Sequence, residues 1–235
     1  MNRILLVLSC SFLLPAAKAQ RLIAADTNRT LVTIDPFTAV KSPLATVSAN
    51  IGTPGGLAYD PVAGVLFAVS TTVDSLFTID LSTGAATAIG AFADPAIAMH
   101  GIELDTSTGT LYGASSHNAG IYTLDRTTGA ATLLGLTGLV GTINLVYDSR
   151  ADRLLATSTG GDSLYEVNRA TGAATLLGNL QNSGNPQGLA FEASLGTVYL
   201  IDNVSDLLYA IDTATGHAHA IGSMGAGNLL GLACI

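Results

Sequence analysis

Glu103 is the side chain of this 235-residue sequence best placed to do chemistry, with His100 three positions before it, Asp94 nine before it and His117 fourteen after it. Two carboxylates and two imidazoles so close in sequence are the groups of general acid–base catalysis or of a divalent-cation site. A second set is His217 and His219, which on a strand fall on the same side, a workable spacing for metal ligation. Asn144, Asn185, Gln187 and Asn228 add amides that hold a ligand without reacting with it. The expected sites are therefore a catalytic set of Glu103, His100 and Asp94, a ligand-binding set of His100, Glu103, His117, Asn185, Gln187 and Asn228, and the metal pair His217 and His219. No nucleophile constellation joins them. The sequence has no Gly-x-Ser-x-Gly elbow, no phosphate loop and no cysteine paired with a histidine, and Cys234 reads as a buried structural thiol.

Whether these groups meet depends on the elements that carry them, and those elements repeat. LFTIDLSTGAATAIG from Leu76 returns as IYTLDRTTGAATLLG from Ile121, LYEVNRATGAATLLG from Leu164 and LYAIDTATGHAHAIG from Leu208, each 43 to 45 residues after the last. Half a period away lies a second phrase: GLAYDPVAGVLFAVS from Gly56, GIELDTSTGTLYGAS from Gly101, NLVYDSRADRLLATS from Asn144 and GLAFEASLGTVYLID from Gly188. In each phrase large apolar residues alternate with small ones at the two-residue spacing of a strand. A turn divides each phrase into two strands. At Thr83-Gly84, Thr128-Gly129, Thr171-Gly172 and Thr215-Gly216 the glycine supplies a positive φ, while Asp80, Asp125, Asn168 and Asp212 bond the turn backbone.

Four antiparallel strands per period make the blade of a β-propeller. Starts at Gly56, Gly101, Asn144, Gly188 and Gly231 count five blades. Gly231-Leu232-Ala233 begins the second phrase and stops, and RLIAADTNRTLVTIDPFT from Arg21 supplies what should follow, so the last blade is closed by strands from both termini. Against this frame most acids are accounted for: Asp60, Asp105, Asp148 and Glu192 share one turn position, and Asp74, Asp162 and Asp206 another. Glu103 stands where the other innermost strands carry Ala58, Val146, Ala190 and Ala233. A carboxylate beside the axis must be solvated, paired or bound to a cation. His217 and His219 replace the Ala and Thr of other copies, in the outermost strand.

The phrase L-Y-x-I-D-x-x-T-G-A-A-T-x-x-G resembles the repeat of secreted bacterial β-propellers, including uncharacterised families near the NHL, YVTN and quinoprotein-like propellers. The resemblance covers nearly all of the chain after its first 19 residues and implies an all-β propeller fold. It implies no one function, since propellers host binding, scaffolding and hydrolysis.

Residues 1–19 read as a secretory signal: Arg3, an apolar stretch from Ile4 to Leu14, and the cleavage signature Ala17-Lys18-Ala19. A single propeller domain follows over 20–235, expected in the extracellular or periplasmic space. Without the signal the chain carries seven basic and seventeen acidic side chains, net −10, which disfavours nucleic acid as a partner. No segment reaches the roughly 20 apolar residues of a spanning helix, so membrane insertion is not expected. Asn28 and Asn203 begin glycosylation sequons. The function these features favour is non-catalytic binding of a protein or carbohydrate through loops on one face, with no cofactor required. The alternatives are a channel-centred hydrolase of lactonase or glycosidase type, with or without a divalent cation, and a structural component of a surface assembly.

Overall fold

The computed structural model describes residues 21–235, and the expected export signal lies outside the described residues. Twenty strands and one 3-10 turn, Ala49–Ile51, make up the elements. The first blade holds β1 (Leu22–Asp26), β2 (Thr30–Ile34) and β3 (Lys41–Thr46), and the second β4 (Pro54–Asp60), β5 (Val65–Ser70), β6 (Ser75–Ile79) and β7 (Ala86–Ala91). The third runs through β8 (Met99–Asp105), β9 (Thr110–Ser115), β10 (Gly120–Leu124) and β11 (Ala131–Leu136). The fourth comprises β12 (Ile143–Asp148), β13 (Arg153–Ser158), β14 (Ser163–Val167) and β15 (Ala174–Asn179), and the fifth β16 (Pro186–Glu192), β17 (Thr197–Asp202), β18 (Leu207–Ile211) and β19 (Ala218–Ser223). The remaining strand, β20 (Leu229–Cys234), pairs antiparallel with β1, so the first blade has the order β20-β1-β2-β3. This is the five-bladed propeller with shared closure that the repeat implies.

Burial explains why the strands take these sequences. Each blade is covered on both sides, and five apolar clusters lie at the five boundaries between neighbouring blades; Ala58, Phe67 and Leu76 of the second blade, for instance, pack on Ile102, Leu104 and Tyr122 of the third. Burying one Leu, Ile or Phe contributes about 1.5–3 kcal/mol, so the boundaries supply the folding drive.

Glycines set how closely the blades approach. A β-carbon on Gly129 would lie 2.9 Å from the Gly90 Cα, and one on Gly216 would lie 2.8 Å from the Gly178 Cα. The Thr-Gly turn of one blade thus seats on the glycine of the preceding blade's fourth strand, in addition to turning the chain at φ 79° and 81°. The first blade departs from this pattern: Ala39 takes the left-handed conformation at φ 61° and faces Gly222. Asp74, Asp162 and Asp206 are also left-handed, at φ 42°, 40° and 54°, a conformation that Asp tolerates better than most residues.

A second set of glycines surrounds the axis. β-carbons on Gly56, Gly101, Gly188 and Gly231 would fall 2.7 Å from the Ile102 N, 2.8 Å from the Asn144 Cα, 2.9 Å from the Leu232 N and 3.0 Å from the Leu57 N. Asn144 holds this position in the fourth blade, and its side-chain amide closes the ring by donating to the Pro186 carbonyl at 2.9 Å. Backbone therefore meets backbone at four of the five blade boundaries at this level, and the Asn144 side chain bridges the fifth. The constriction separates an upper end, where the innermost strands begin, from a lower end, where they finish.

Candidate functional site

The lower end holds a cavity of about 170 Å³ beneath the glycine ring. Its wall takes one residue from each innermost strand at the same register, namely Tyr59, Leu104, Tyr147, Phe191 and Cys234. Glu103 reaches it from β8 and is the one side-chain carboxyl lining it. None of the lining side chains is basic. Ala58, Val146, Ala190 and Ala233 are 0 to 4 % exposed at the corresponding positions, because in those blades this position packs on the next blade. Glu103 directs a carboxyl to that same boundary, between the third and fourth blades, while remaining half-buried and open to the cavity. Burial pushes its pKa well above the usual carboxylate range, and the Leu104 and Tyr147 backbones oppose that shift. Cys234 is raised to about 12, first by burial and then by the charges of Glu192 and Glu103, so its thiol is unreactive at neutral pH.

A polar network borders this cavity. The Arg169 guanidinium donates to Asp105 Oδ2 at 2.6 Å and to Asp152 Oδ1 at 2.9 Å, and its Cζ lies 5.7 Å from the Tyr147 ring centre. The Tyr147 hydroxyl donates to Asp152 at 2.7 Å. One blade earlier Arg126 repeats the device, bonding Asp60 at 2.7 Å with its Cζ 6.0 Å from the Phe67 ring centre. The turn aspartates thus have two jobs. Oδ1 of Asp60 and of Asp105 accepts the amides two and three residues on, as the sequence suggests, while Oδ2 receives an arginine from the next blade. The second job was missed. Its signal was present in the arginines that directly follow Asp125 and Asn168 in two of the four copies.

The upper end carries the other expected ligand-binding residues. Four innermost strands have a bulge here, leaving Gly55 with Gly56, His100, Gln187 and Leu230 outside the pairing register, and a bulge re-aims a side chain. In the fourth blade β12 pairs without a bulge, and Asn144 occupies the ring position. His100 is half-buried, with Nδ1 2.8 Å from the Ser116 hydroxyl and 3.2 Å from the Ala98 carbonyl. The Gln187 amide donates to Asn185 Oδ1 at 2.6 Å. Asn228 is exposed and accepts from Asn203 at 2.7 Å. His117 and Asp94 are exposed, and Asp94 caps its own loop by accepting from the Ala96 amide at 2.8 Å. Asn185 and Gln187 thus meet at the upper mouth, His100 lies at the same end but bonds within its own blade, Asp94, His117 and Asn228 stay on the loops around it, and Glu103 lies below the constriction.

Asp202 organises the upper mouth. It is 0 % exposed; Oδ1 accepts the Val204 and Ser205 amides and the Ser205 hydroxyl, and Oδ2 accepts the Ser183 hydroxyl and the Gly184 and Asn185 amides. Burial alone would raise its pKa, but these donors outweigh burial and lower it. Asp202 therefore fixes the loop that presents Asn185 and Gln187.

His217 and His219 lie at the rim of the fifth blade with ring centres 4.4 Å apart. His217 Nε2 lies 3.1 Å from the Asn182 amide nitrogen. Among the described residues no group of three or more His, Cys, Asp or Glu side chains is arranged to hold a metal ion. No helix among them is long and apolar enough to cross a membrane.

Comparison with known proteins agrees with this architecture. A chain of the nidogen/laminin complex superposes with a TM-score of 0.65 at 17 % identity, over 92 % of this chain and 98 % of that one. Virginiamycin B lyase from Staphylococcus aureus gives 0.56 at 12 % identity, over 86 % of this chain and 66 % of that one. A protein of unknown function from Bacteroides thetaiotaomicron gives 0.61 at 15 % identity, over 86 % of this chain and 64 % of that one. At such identities the likeness is one of fold. No curated protein matches the sequence. The model of a repeat of unknown function, DUF6923, matches residues 17–142, more than half of the sequence, and the chain belongs to that family.

Proposed function

We propose that this protein is a non-catalytic, extracytoplasmic propeller that binds a protein or a carbohydrate through the loops of its upper end. The observation that carries this reading is the unequal variation of the two ends. At the lower end the hairpin turns 61–64, 106–109, 149–152 and 193–196 share one conformation, each capped by the preceding acid and each closed by a residue at φ 53° to 73°. At the upper end the crossings 47–53, 92–98, 137–142, 180–185 and 224–228 differ in length and sequence and present different polar groups. Variable loops held by a rigid frame are where recognition resides.

The nidogen/laminin neighbour, a chain from an assembly of two proteins, supports protein as the ligand class. The apolar stretch Ile4 to Leu14 and the Ala17-Lys18-Ala19 signature support export. A hydrolase would need a second carboxylate or an imidazole beside Glu103, and the side chains lining its cavity include neither.

The test is to display the chain from Gln20 onward on arrays of oligosaccharides and of extracellular proteins, together with Gln187→Ala, Asn228→Ala and the lower-end variant Val62→Ser. The reading expects a saturable partner whose affinity falls at least tenfold with the first two variants and is unchanged by the third. Loss with Val62→Ser alone, or turnover of an arrayed sugar by the parent, rejects it.

A further inference from the structure

The lower cavity is a built site that loop recognition at the upper end leaves unused. It differs from the rest of the ring in one residue, and that residue introduces a carboxyl where the repeat places a small apolar side chain. The change costs desolvation of the acid, and no Lys, Arg or His lines the cavity to offset it. The neighbouring guanidinium of Arg169 is already engaged by Asp105 and Asp152. Tyr59, Tyr147 and Phe191, from three different blades, supply aromatic surface on the same wall. Aromatic rings around a single carboxylate are the usual recognition chemistry for an ammonium group. At about 170 Å³ the space holds a ligand of roughly benzene's size, since a cavity of about 150 Å³ accepts benzene.

We infer that the lower axial cavity binds a small organic cation, a primary or quaternary ammonium compound, with its charge against Glu103 and its apolar part against Tyr59, Tyr147 and Phe191. Binding supplies the counter-charge that the fold withholds from Glu103. It accounts for a carboxyl at an axial position that alanine fills in three other blades. The site is independent of the upper loops, because the glycine ring separates the two ends.

The experiment is calorimetric titration of the chain from Gln20 onward with tetramethylammonium and benzylammonium, and with benzyl alcohol as the neutral counterpart. The inference expects saturable binding of at least one ammonium compound, no saturable binding of benzyl alcohol, and at least a tenfold loss of affinity in Glu103→Gln and in Glu103→Ala. The alanine variant installs the residue of three other blades, so it retains the fold, which circular dichroism verifies. Tyr59→Leu keeps the carboxyl and removes one ring, and it is expected to weaken tetramethylammonium severalfold. Absence of saturable ammonium binding, equal binding of benzyl alcohol, or undiminished binding in folded Glu103→Gln overturns the inference.

Discussion

Arg169 of the fourth blade donates to Asp105 of the third at 2.6 Å, and the carboxylate it reaches is 0 % exposed while already capping its own turn. One ion pair thus joins a turn to the next blade beside the axial cavity. Breaking a pair of this kind leaves a buried carboxylate partly unmatched.

Arg169→Met is therefore expected to destabilise the fold by about 2–4 kcal/mol, less than a fully buried pair because the Ser107 and Thr108 donors remain. The pH dependence has a definite sign. Burial raises the pKa of Asp105, but the Ser107 and Arg169 donors outweigh it and the folded value is lowered. Its contribution is present above the unfolded value of about 3.9 and is lost as pH falls through the folded value. Urea titrations between pH 7 and pH 2 should show the destabilisation by Arg169→Met at full size above about pH 4 and shrinking as pH falls through the folded value, where the Asp105 contribution is lost in the parent as well. A difference that stays constant down to pH 2 would show that the pair does not hold the Asp105 proton equilibrium.

Glu103 has the opposite sign. Its folded pKa is raised by burial, so the folded state binds the proton more tightly and stability falls as pH rises from the unfolded value of about 4.3 through the folded one. Glu103→Ala is expected to be more stable than the parent at pH 7, by about 1–3 kcal/mol, with the difference shrinking toward pH 4. A destabilised alanine variant at pH 7 would mean that the carboxyl has a stabilising partner in the folded protein.

Asp202→Ala removes six hydrogen bonds from a buried carboxylate and is expected to cost about 2–4 kcal/mol. Hydrogen exchange should place the loss locally: the Gly184 and Asn185 amides become unprotected, while β8 and β12 keep their protection. Uniform loss across all blades would instead make Asp202 a global fold element with no special tie to the upper loop.

The blade boundary gives a matched pair of substitutions. Gly129→Ala adds a methyl at φ 79° in contact with the Gly90 backbone and is expected to cost about 2 kcal/mol or more. Ala39→Gly relieves a left-handed alanine at φ 61° and is expected to be neutral or to stabilise by up to about 1 kcal/mol. Melting temperatures should move in opposite directions, or only the first should move. Equal destabilisation by both would argue that the first blade depends on the Ala39 methyl group.

The blades, their number and the shared closure were legible because both phrases repeat their apolar alternation and four of the five blades carry the Thr-Gly turn. Glu103 stood out for the same reason, as a departure from Ala58, Ala190 and Ala233. Its separation from His100 was hidden. Three residues along a strand look adjacent in sequence, yet the Gly56, Gly101, Gly188 and Gly231 contacts that divide the axis are made between strands far apart in the chain. The bulge at His100 was equally hidden, because it depends on pairing between Met99 and Ser115 and between Gly101 and Ala114, and not on residue type. The role of Asp202 could not be separated from that of any other turn aspartate until its second oxygen was seen to reach Ser183, Gly184 and Asn185.

The central claim is that the upper loops are the binding surface, and hydrogen–deuterium exchange with and without the partner selected on the arrays tests it most directly. The account expects ligand-dependent protection in residues 94–98, 139–142, 183–185 and 226–228, with no change in the lower turns 61–64, 106–109, 149–152 and 193–196. Protection confined to those lower turns would contradict it and move the recognition surface to the opposite end of the ring.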